Sequence, residues 1–490
     1  MLGNEIDSHD QSRVRSARRS RQPARTRASR VIRRLPTMRG CEKTCGRGLA
    51  HAMLPQRDRR RGQRGHIRCK MADALHRRWR ACVPSHFLPP AGMPRRPRSW
   101  RHIEAAIMRE AVRSVCTLIV ALVLGLQACA ATLQDVVRES DGPYVVRNAD
   151  GGWEAWWVEV TGAGARKRVQ PVEPGDALAV PAVNEAPAFA VTLREPADVA
   201  PHTVRTAPGA PLFVVADTHG EYEILVRLLE RHGVIDAALK WTFGSGHLIV
   251  LGDVFDRGAR QTEILWLLYG LEGEAQQAGG GVHLVVGNHE AMVLSGDARY
   301  LNPRYHRSAA VLRVSHYGQL FGPETVLGQW LRTRPAVLKV NELLCLHGGL
   351  SPVLVERGFT LTEINDTVRA VLNGHRFTTQ AQRERAELVM TELGPLWYRG
   401  YFADQRGFQR ATSQDIDRIR EHFSSETILV GHTIVPTITP LYDGRVIAVQ
   451  VYPRRDERTG RPVMEALRIE DGRFMRAGVE GDLEVLDLQR

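Results

Sequence analysis

Three short segments of the chain place carboxylate, imidazole and amide side chains directly after runs of apolar residues. They are Asp217-Thr218-His219-Gly220, Gly252-Asp253-Val254-Phe255-Asp256-Arg257-Gly258 and Gly287-Asn288-His289-Glu290. Aspartate and histidine bind divalent transition metals, and asparagine adds a neutral oxygen ligand. The residue types therefore indicate a metal site, with room for a pair of ions if the three segments meet.

The apolar runs that precede these segments predict buried β-strands, because short apolar runs bounded by turn residues are typical of strands. The runs are 212–216, 248–251 and 282–286, and helical spacing marks 224–231 and 262–271 between them. This order predicts a β-α-β-α-β unit. Open α/β sheets bind ligands at the carboxyl ends of their strands, so we expect the polar segments to lie together there.

The same pattern recurs twice further along the chain. The apolar run 343–346 leads into His347-Gly348-Gly349-Leu350-Ser351-Pro352, and 428–430 leads into Gly431-His432-Thr433. A single histidine at a strand end is usually a structural residue that makes one hydrogen bond. Five such segments in order are instead typical of one shared site.

The five segments, in this order, resemble the signature of the calcineurin-like metallophosphoesterases. Their Gly-Asn-His-Glu and His-Gly-Gly-Leu-Ser-Pro forms resemble the phosphoprotein phosphatase branch, and most of all its bacterial Shewanella-like protein phosphatases. The resemblance covers about half of the chain, 205–455. It implies a four-layer α/β/β/α sandwich and two divalent metal ions (manganese, iron or zinc). It also implies that a hydroxide bridging the ions hydrolyses phosphomonoesters.

The resemblance also assigns the metal ligands. Asp253 would bridge both ions. The remaining ligands would be Asp217 and His219 for the first ion, and Asn288, His347 and His432 for the second. Position 434 is isoleucine, where other branches of the superfamily carry a second histidine, which agrees with the phosphoprotein phosphatase branch.

Four further residues receive catalytic roles. His289 would protonate the leaving group as general acid, with Asp256 on its other ring nitrogen. Arg257 would clamp the phosphoryl oxygens through a two-pronged hydrogen bond. Arg399 is the predicted second arginine, although its flanking residues match the family only in part, and a surface salt bridge is the alternative. Glu290 is interpreted as a supporting residue.

The resemblance implies a phosphoprotein or a small phosphomonoester as substrate, and no nucleic acid partner. The Shewanella-like group favours phosphotyrosine over phosphoserine and phosphothreonine. The tyrosine-containing loop of the eukaryotic enzymes is not recognisable in the sequence, which leaves the preference open. One alternative is a hydrolase of dinucleoside polyphosphates or other nucleotides on the same core. A second is a non-catalytic protein that binds metal or nucleic acid.

Charge separates the first 107 residues from the rest of the 490-residue chain. Residues 1–107 hold 27 Lys+Arg and 7 Asp+Glu, a net charge of +20, while the remainder holds 67−27=40 basic and 54−7=47 acidic residues, a net charge of −7. This Arg-rich segment is interpreted either as a disordered arm that binds nucleic acid or as a segment that is not naturally translated. We favour the second hypothesis, in which translation starts at Met108, because an export signal would then begin the chain.

Residues 108–130 resemble a secretory signal peptide. Met108 begins a short, positively charged segment, 115–126 is mostly apolar, and Ala128-Cys129-Ala130 fits a cleavage site. The apolar run is too short for a stable membrane span. We therefore expect a periplasmic or secreted protein. The alternatives are a lipoprotein anchored to the membrane at Cys129 and a buried core helix.

The remaining sequence predicts three regions: a small β-rich module with its linker (131–207), the catalytic domain (208–455) and a C-terminal β tail (456–490). Strands are predicted at 153–160, 168–172, 177–180 and 188–193, and a surface helix pair within 361–392. The insert 291–339 is interpreted either as lining the substrate groove or as a helical cap. Cys345 is interpreted as a packed apolar residue rather than a nucleophile.

Overall fold

The structure is a computed structural model that describes residues 139–162, 164–196, 198–403, 405 and 407–488. The predictions for 1–107 and 108–130, including the lipid attachment at Cys129, lie outside these residues. Within the described ranges, no helix combines the length and the apolar composition that crossing a bilayer requires.

The described chain begins with five strands. Three form an antiparallel sheet and two form a hairpin. They are β1 (Asp141–Arg147), β2 (Trp153–Thr161), β3 (Gly164–Val172), β4 (Ala177–Val180) and β5 (Phe189–Thr192). The four predicted strands correspond to β2–β5, whereas β1 has no predicted counterpart.

After β6 (Thr203–Val204), the next part of the chain forms the predicted β-α-β-α-β unit. Its elements are β7 (Leu212–Val215), α1 (Tyr222–Arg231), β8 (His247–Val250), α2 (Gln261–Gln277) and β9 (Gly281–Leu284), and α3 (Asn288–Leu294) follows. Strands β7, β8 and β9 pair in parallel. Most of α2 is buried, and its Trp266 donates a 2.7 Å hydrogen bond to the Pro143 carbonyl in β1.

Helices dominate the middle of the chain. The first are α4 (Pro303–Leu312), a 3-10 helix (Tyr317–Phe321) and α5 (Val326–Thr333). Two strands follow, β10 (Val337–Val340) and β11 (Leu343–Leu346). The remaining helices are α6 (Pro352–Glu356), α7 (Leu361–Leu372), α8 (Gln380–Met390) and α9 (Ser413–His422). Capping boxes start α7, α8 and α9, which satisfies backbone N–H groups at their first turns. Helices α7 and α8 are the predicted pair.

The C-terminal part returns to strands. They are β12 (Thr427–Val430), β13 (Thr439–Leu441), β14 (Val446–Ala448), β15 (Arg454–Arg455), β16 (Pro462–Val463), β17 (Glu465–Glu470), β18 (Arg473–Gly478) and β19 (Leu483–Val485). Together with the earlier strands they complete two six-stranded sheets, in the orders β19-β18-β17-β7-β8-β9 and β13-β14-β12-β11-β10-β6.

Alternate residues of β7 show how the layers are stacked. Phe213 and Val215 belong to the buried cluster that contains residues of α1 and α2. Leu212 and Val214 belong to the other buried cluster, which contains residues of the second sheet and of α6, α7 and α9. Because both faces of the sheet are covered, the layers run helix, sheet, sheet, helix. The predicted α/β/β/α sandwich is confirmed.

The flanking regions are built into this sandwich. Thr203 and Val204, in the predicted linker, pair in parallel with β10. Strand β17 pairs with β7, which removes an edge that would expose backbone hydrogen-bonding groups. Tyr144 and Trp157 join the buried cluster of α1 and α2. The predicted boundaries at 207 and 455 therefore do not separate independent cores, because strand pairing and packing cross both of them.

Candidate metal centre

Asp253 lies at the centre of the converging side chains and is 1% exposed. Its Oδ2 is 3.1 Å from His347 Nε2 and 3.8 Å from the Nε2 atoms of His219 and His289. Two groups of candidate ligand atoms, each within 4.8 Å of one another, share this carboxylate: His219, Asp253 and His289, and Asp253, His347 and His432. The geometry therefore suits one carboxylate that contacts two ions.

Asp217 and Asn288 lie at the same place. Asp217 Oδ1 accepts a 3.1 Å hydrogen bond from the His432 N–H and lies 3.8 Å from His347 Nδ1. Asn288 Oδ1 is 2.8 Å from His347 Nε2. The structure thus brings all six sequence-predicted ligands together. His289 also lies within the first group of candidate ligand atoms. Metal analysis of His289 and Asp217 variants would show which of the two side chains binds the first ion.

His219 and His432 are in the neutral form that binds metal. The Nε2 atoms of His219 and His432 are buried and have no hydrogen-bond partner among the described residues. The Phe255 carbonyl, 2.9 Å from His219 Nδ1, holds the proton on that nitrogen and leaves the Nε2 lone pair free. Burial lowers the pKa of His219 to about 3 and that of His432 to about 2. Neutral imidazoles with free, buried lone pairs fit a metal ion.

The local charge also favours a cation. Burial opposes a charged His347 ring, but the carboxylates of Asp253 and Asp217 outweigh burial and raise the pKa of His347 to about 9. Electrostatic attraction scales with the product of the charges, so a field that stabilises a proton stabilises a divalent ion more strongly. The residues present therefore fit a metal pair.

The site is built on strained backbone. Six of the ten residues that the sequence assigns to the site have positive φ: Asp217 (45°), His219 (43°), Asp253 (55°), Asp256 (71°), Arg257 (64°) and His432 (61°). This conformation costs an L-residue about 1–2 kcal/mol. Such strain persists only where the surroundings hold it, and it clusters at functional sites.

Glu290 is one of the groups that hold the strained loops. Its buried carboxylate accepts hydrogen bonds from the N–H groups of Asp253 (2.8 Å), Val254 (2.7 Å) and Gly287 (2.7 Å). Gly258 permits a second close approach, because its N–H donates to the His219 carbonyl at 2.9 Å and a Cβ there would meet that oxygen at 2.2 Å. These contacts tie the first three polar segments to one another.

His289 and Asp256 form a buried pair beside the candidate ligands. His289 Nδ1 lies 2.6 Å from Asp256 Oδ2. Burial opposes a charged ring, but the hydrogen bond to Asp256 and the charges of Asp253 and Asp256 together outweigh burial and raise the pKa of His289. A protonated ring in this position has Nε2 available to donate a proton. The geometry suits the general acid that the sequence predicts.

Gln261, which the sequence analysis did not identify, supports Asp256. The Asp256 N–H donates to Gln261 Oε1 at 2.7 Å, and Gln261 Nε2 donates to the Tyr317 hydroxyl at 2.9 Å. Tyr305 accepts from the Gln261 N–H at 2.8 Å, and Tyr144 of β1 is 3.4 Å from Tyr317. The insert 291–339 and β1 thus build a buried network under the loop. A glutamine at a helix start carries no sequence signal for such a role.

Two arginines and a tyrosine border the site. Arg399 donates to the His432 carbonyl at 2.8 Å and to Thr433 Oγ1 at 3.0 Å, and has no carboxylate partner among the described residues. The exposed Arg257 places its guanidinium 5.6 Å from the Tyr452 ring centre, and that ring lies 5.8 Å from the His219 ring. Tyr452 therefore brings a late tyrosine to the site, which the sequence alone does not reveal.

Cys345 is not a nucleophile in this structure. It is fully buried in β11, and burial raises the pKa of its thiol to about 12. The reactive form of cysteine is the thiolate, which is not populated at neutral pH under these conditions.

The shared carboxylate predicts the metal content of a variant. Asp253→Asn replaces an anion that faces both ligand groups with a neutral amide, so we expect bound metal to fall from about two ions per chain to less than one. Elemental analysis after dialysis measures this. Asp417→Asn, an exposed carboxylate of α9 that pairs with Arg420 and Arg445, is the matched control and should keep both ions. Unchanged metal content in Asp253→Asn contradicts the shared-ligand geometry.

The hydrogen-bond network around Asp256 predicts how a second substitution changes kcat. Gln261→Leu removes the acceptor for the Asp256 N–H, and misplacement of a catalytic group by about 1 Å can slow turnover by about 100-fold. We expect kcat on an aryl phosphate to fall by about 10- to 100-fold while metal content stays unchanged. Gln329→Leu, at a glutamine whose side-chain amide donates to the Pro323 carbonyl, controls for loss of a glutamine. Normal kcat in a folded Gln261→Leu protein rules out the positioning role.

Comparison with known proteins agrees with this geometry. The family model described as calcineurin-like phosphoesterase matches residues 210–436. The crystal structure of a cold-active protein-tyrosine phosphatase from a psychrophilic Shewanella species is 33% identical, with a TM-score of 0.61. The match covers 71% of this chain and 99% of that one.

Two curated relatives are also similar over part of their length. Shewanella-like protein phosphatase 1 of Plasmodium berghei is 25% identical over 231 residues, which is 46% of this chain and 62% of the relative. Shewanella-like protein phosphatase 2 of Arabidopsis thaliana is 39% identical over 93 residues, which is 19% of this chain and 24% of the relative. The chain spans less than two thirds of either curated relative. The predicted family is confirmed: the chain belongs to the calcineurin-like phosphoesterases, with Shewanella-like protein phosphatases among its relatives.

Proposed function

We propose that this chain is a metal-dependent phosphatase that hydrolyses phosphomonoesters on proteins, with water as the acceptor. The observation that carries the proposal is the sharing of buried Asp253 by two groups of candidate ligands, beside the His289–Asp256 pair. Membership of the calcineurin-like phosphoesterases and similarity to protein phosphatases support the substrate class.

The metal ligands in this proposal are Asp217, His219, Asp253, Asn288, His347 and His432. When bound there, two divalent ions would supply a nucleophile from water at neutral pH and positive charge for the phosphoryl oxygens. Manganese, iron and zinc all suit a set of carboxylate, amide and imidazole ligands, and we propose one of these three.

The chain's own residues do the rest of the chemistry. Arg257 and Arg399 bind and orient the phosphoryl oxygens through charged hydrogen bonds. His289 gives its Nε2 proton to the leaving oxygen, and Asp256 stabilises the charged ring before that transfer. No side-chain nucleophile is required, and the buried thiol of Cys345 offers none.

Phosphotyrosine is the proposed preferred phosphoresidue. Tyr300 is 50% exposed and its ring lies 5.4 Å from the His289 ring, while Ile434, two residues after His432, is 58% exposed. Exposed aromatic and apolar groups at the rim of a polar site suit the ring of a phosphotyrosine better than the short stem of phosphoserine. The related Shewanella structure is described as a protein-tyrosine phosphatase, which supports the same preference.

A substrate panel tests the proposal. The full chain, stripped with a chelator and refilled with manganese, iron or zinc, is assayed on p-nitrophenyl phosphate, a phosphotyrosine peptide, a phosphoserine peptide and a dinucleoside tetraphosphate. We expect metal-dependent phosphate release, fastest from the phosphotyrosine peptide. Faster hydrolysis of the dinucleotide indicates the nucleotide-hydrolase alternative. A folded, metal-loaded protein without any turnover contradicts the proposed function.

The general acid predicts a dependence on the leaving group. His289→Ala should retain its metals and lower kcat on phenyl phosphate by about 100- to 10,000-fold, the usual contribution of general acid catalysis. The loss should be smaller on p-nitrophenyl phosphate, because its leaving group needs little protonation. His306→Ala, an exposed histidine of α4, is the control. Equal losses on both substrates, or loss of metal, contradict the general-acid role.

We also propose that the protein is periplasmic or secreted, with a lipid anchor at Cys129 as the alternative. The signal-peptide pattern of residues 108–130 supports this location. N-terminal sequencing of the protein from its native host tests it. A mature chain that starts just after Ala130 supports export, acylated Cys129 supports the anchor, and a chain that retains 108–130 contradicts both.

A further inference from the structure

A small hairpin near the candidate site carries four arginines: Arg454, Arg455, Arg458 and Arg461. Its strands β15 and β16 pair only with each other among the described strands. The Asp456 carboxylate closes the turn by accepting hydrogen bonds from the Thr459 N–H (2.8 Å) and hydroxyl (2.7 Å). We call residues 454–463 the arginine hairpin. All four arginines are exposed.

The guanidinium groups of the hairpin are not used in ion pairs within the described part of the chain. Arg454 and Arg455 donate only to backbone carbonyls, those of Tyr452 and Gly460, both at 3.3 Å. Some other exposed arginines differ, since Arg299 and Arg418 bind aspartates. Exposed cations without such partners are available to bind anions from another molecule.

The hairpin starts at the edge of the candidate site. Tyr452, whose ring lies 5.8 Å from that of His219, precedes β15 by two residues, and Arg454 donates to its carbonyl. The guanidinium of Arg257 lies over the same ring. The hairpin and the arginine proposed to bind phosphate therefore both adjoin Tyr452.

The hairpin is a basic feature on an acidic body. Residues 454–463 hold four arginines against Asp456 and Glu457, a net charge of +2. Residues 108–490 carry a net charge of −7, so the part of this range outside the hairpin carries −7−2=−9. A local patch opposite in sign to the rest of the surface steers and binds partners of complementary charge.

Acidic residues face part of the hairpin. Arg455 lines one cavity together with Glu185 and with Glu223 and Glu230 of α1. Glu223 itself accepts a hydrogen bond from Asn184. Arg455 therefore already has anionic neighbours. The hydrogen bonds from Thr459 and the charge of Arg454 lower the pKa of Asp456, so Arg454 faces an anion as well. Arg458 and Arg461 are the arginines left for a partner.

We propose that Arg458 and Arg461 form a docking surface for acidic residues that flank the phosphoresidue of a protein substrate. This inference rests on the proposed phosphatase function and adds a sequence preference to it. Exposed charges act mainly on association and on binding. The preference therefore belongs to KM and Kd, and kcat should depend little on the flanking residues.

Two fluorescent phosphotyrosine peptides that differ only in their flanks, one acidic and one neutral, test the proposal. Anisotropy measures their Kd on the full chain treated with chelator, so that binding is read without turnover. We expect the acidic peptide to bind about 3- to 10-fold more tightly at low salt, the range given by a few exposed ion pairs. Salt at about 0.5 M should remove most of the difference, because it screens exposed charges.

Variants identify the surface. Arg458→Glu/Arg461→Glu should abolish or reverse the ratio of the two Kd values, while Arg458→Lys/Arg461→Lys should keep most of it. Arg357→Glu/Arg376→Glu, two exposed arginines outside the hairpin, makes the same charge change and should leave the ratio intact. An unchanged ratio in the hairpin reversal, or equal Kd values in the unmodified chain, overturns the proposal.

Further measurements distinguish this proposal from binding to an anionic lipid surface and from failure of the phosphatase activity. Binding to phosphatidylglycerol vesicles, lost in the hairpin reversal and without peptide discrimination, overturns the proposal in favour of an anionic lipid surface. Failure of the proposed function is distinct from failure of the docking surface. A chain that discriminates the peptides by Kd but does not hydrolyse p-nitrophenyl phosphate supports the docking surface and contradicts the phosphatase activity alone.

Discussion

The structure depends on the burial of one carboxylate. Asp253 is 1% exposed and sits among histidines, with the further carboxylate of Asp217 nearby. A buried anion costs several kcal/mol unless cations or hydrogen bonds compensate it. Here the His289 N–H donates to it, and His347 lies at 3.1 Å. Two buried imidazole nitrogens without partners among the described residues remain, and these are the atoms that divalent ions would satisfy.

The rest of the fold offsets the free energy that the strained backbone of the site costs. Left-handed backbone at six site residues costs about 1 kcal/mol or more each. The loops hold this conformation because Glu290 and Gly258 bind one loop to the next, and because Gln261 binds the Asp256 loop to tyrosines of the insert and, through them, to β1. Two sheets covered on both faces supply the rigid edge from which the loops extend. The strands that flank the family match are therefore part of the catalytic unit.

The sandwich and the convergence of the candidate ligands were predictable because their signals are local. Each strand is a short apolar run, and each ligand follows its strand within a few residues, as in Leu346–His347 and Val430-Gly431-His432. The pairing of β17 with β7, and of Thr203 with β10, was not predictable, because register between distant strands leaves no local pattern. The roles of Gln261 and Tyr452 were not predictable for a similar reason, because they come from contacts made only in the folded chain.

The most direct test of the account is electron paramagnetic resonance of the manganese-loaded full chain. If Asp253 contacts two ions at once, two Mn²⁺ ions bind per chain at the separation of about 3.5–4 Å that is usual for paired sites. The account predicts an exchange-coupled spectrum that Asp253→Asn abolishes. A spectrum of isolated Mn²⁺ ions at full loading, or saturation at one ion per chain, would contradict the shared carboxylate and the chemistry derived from it.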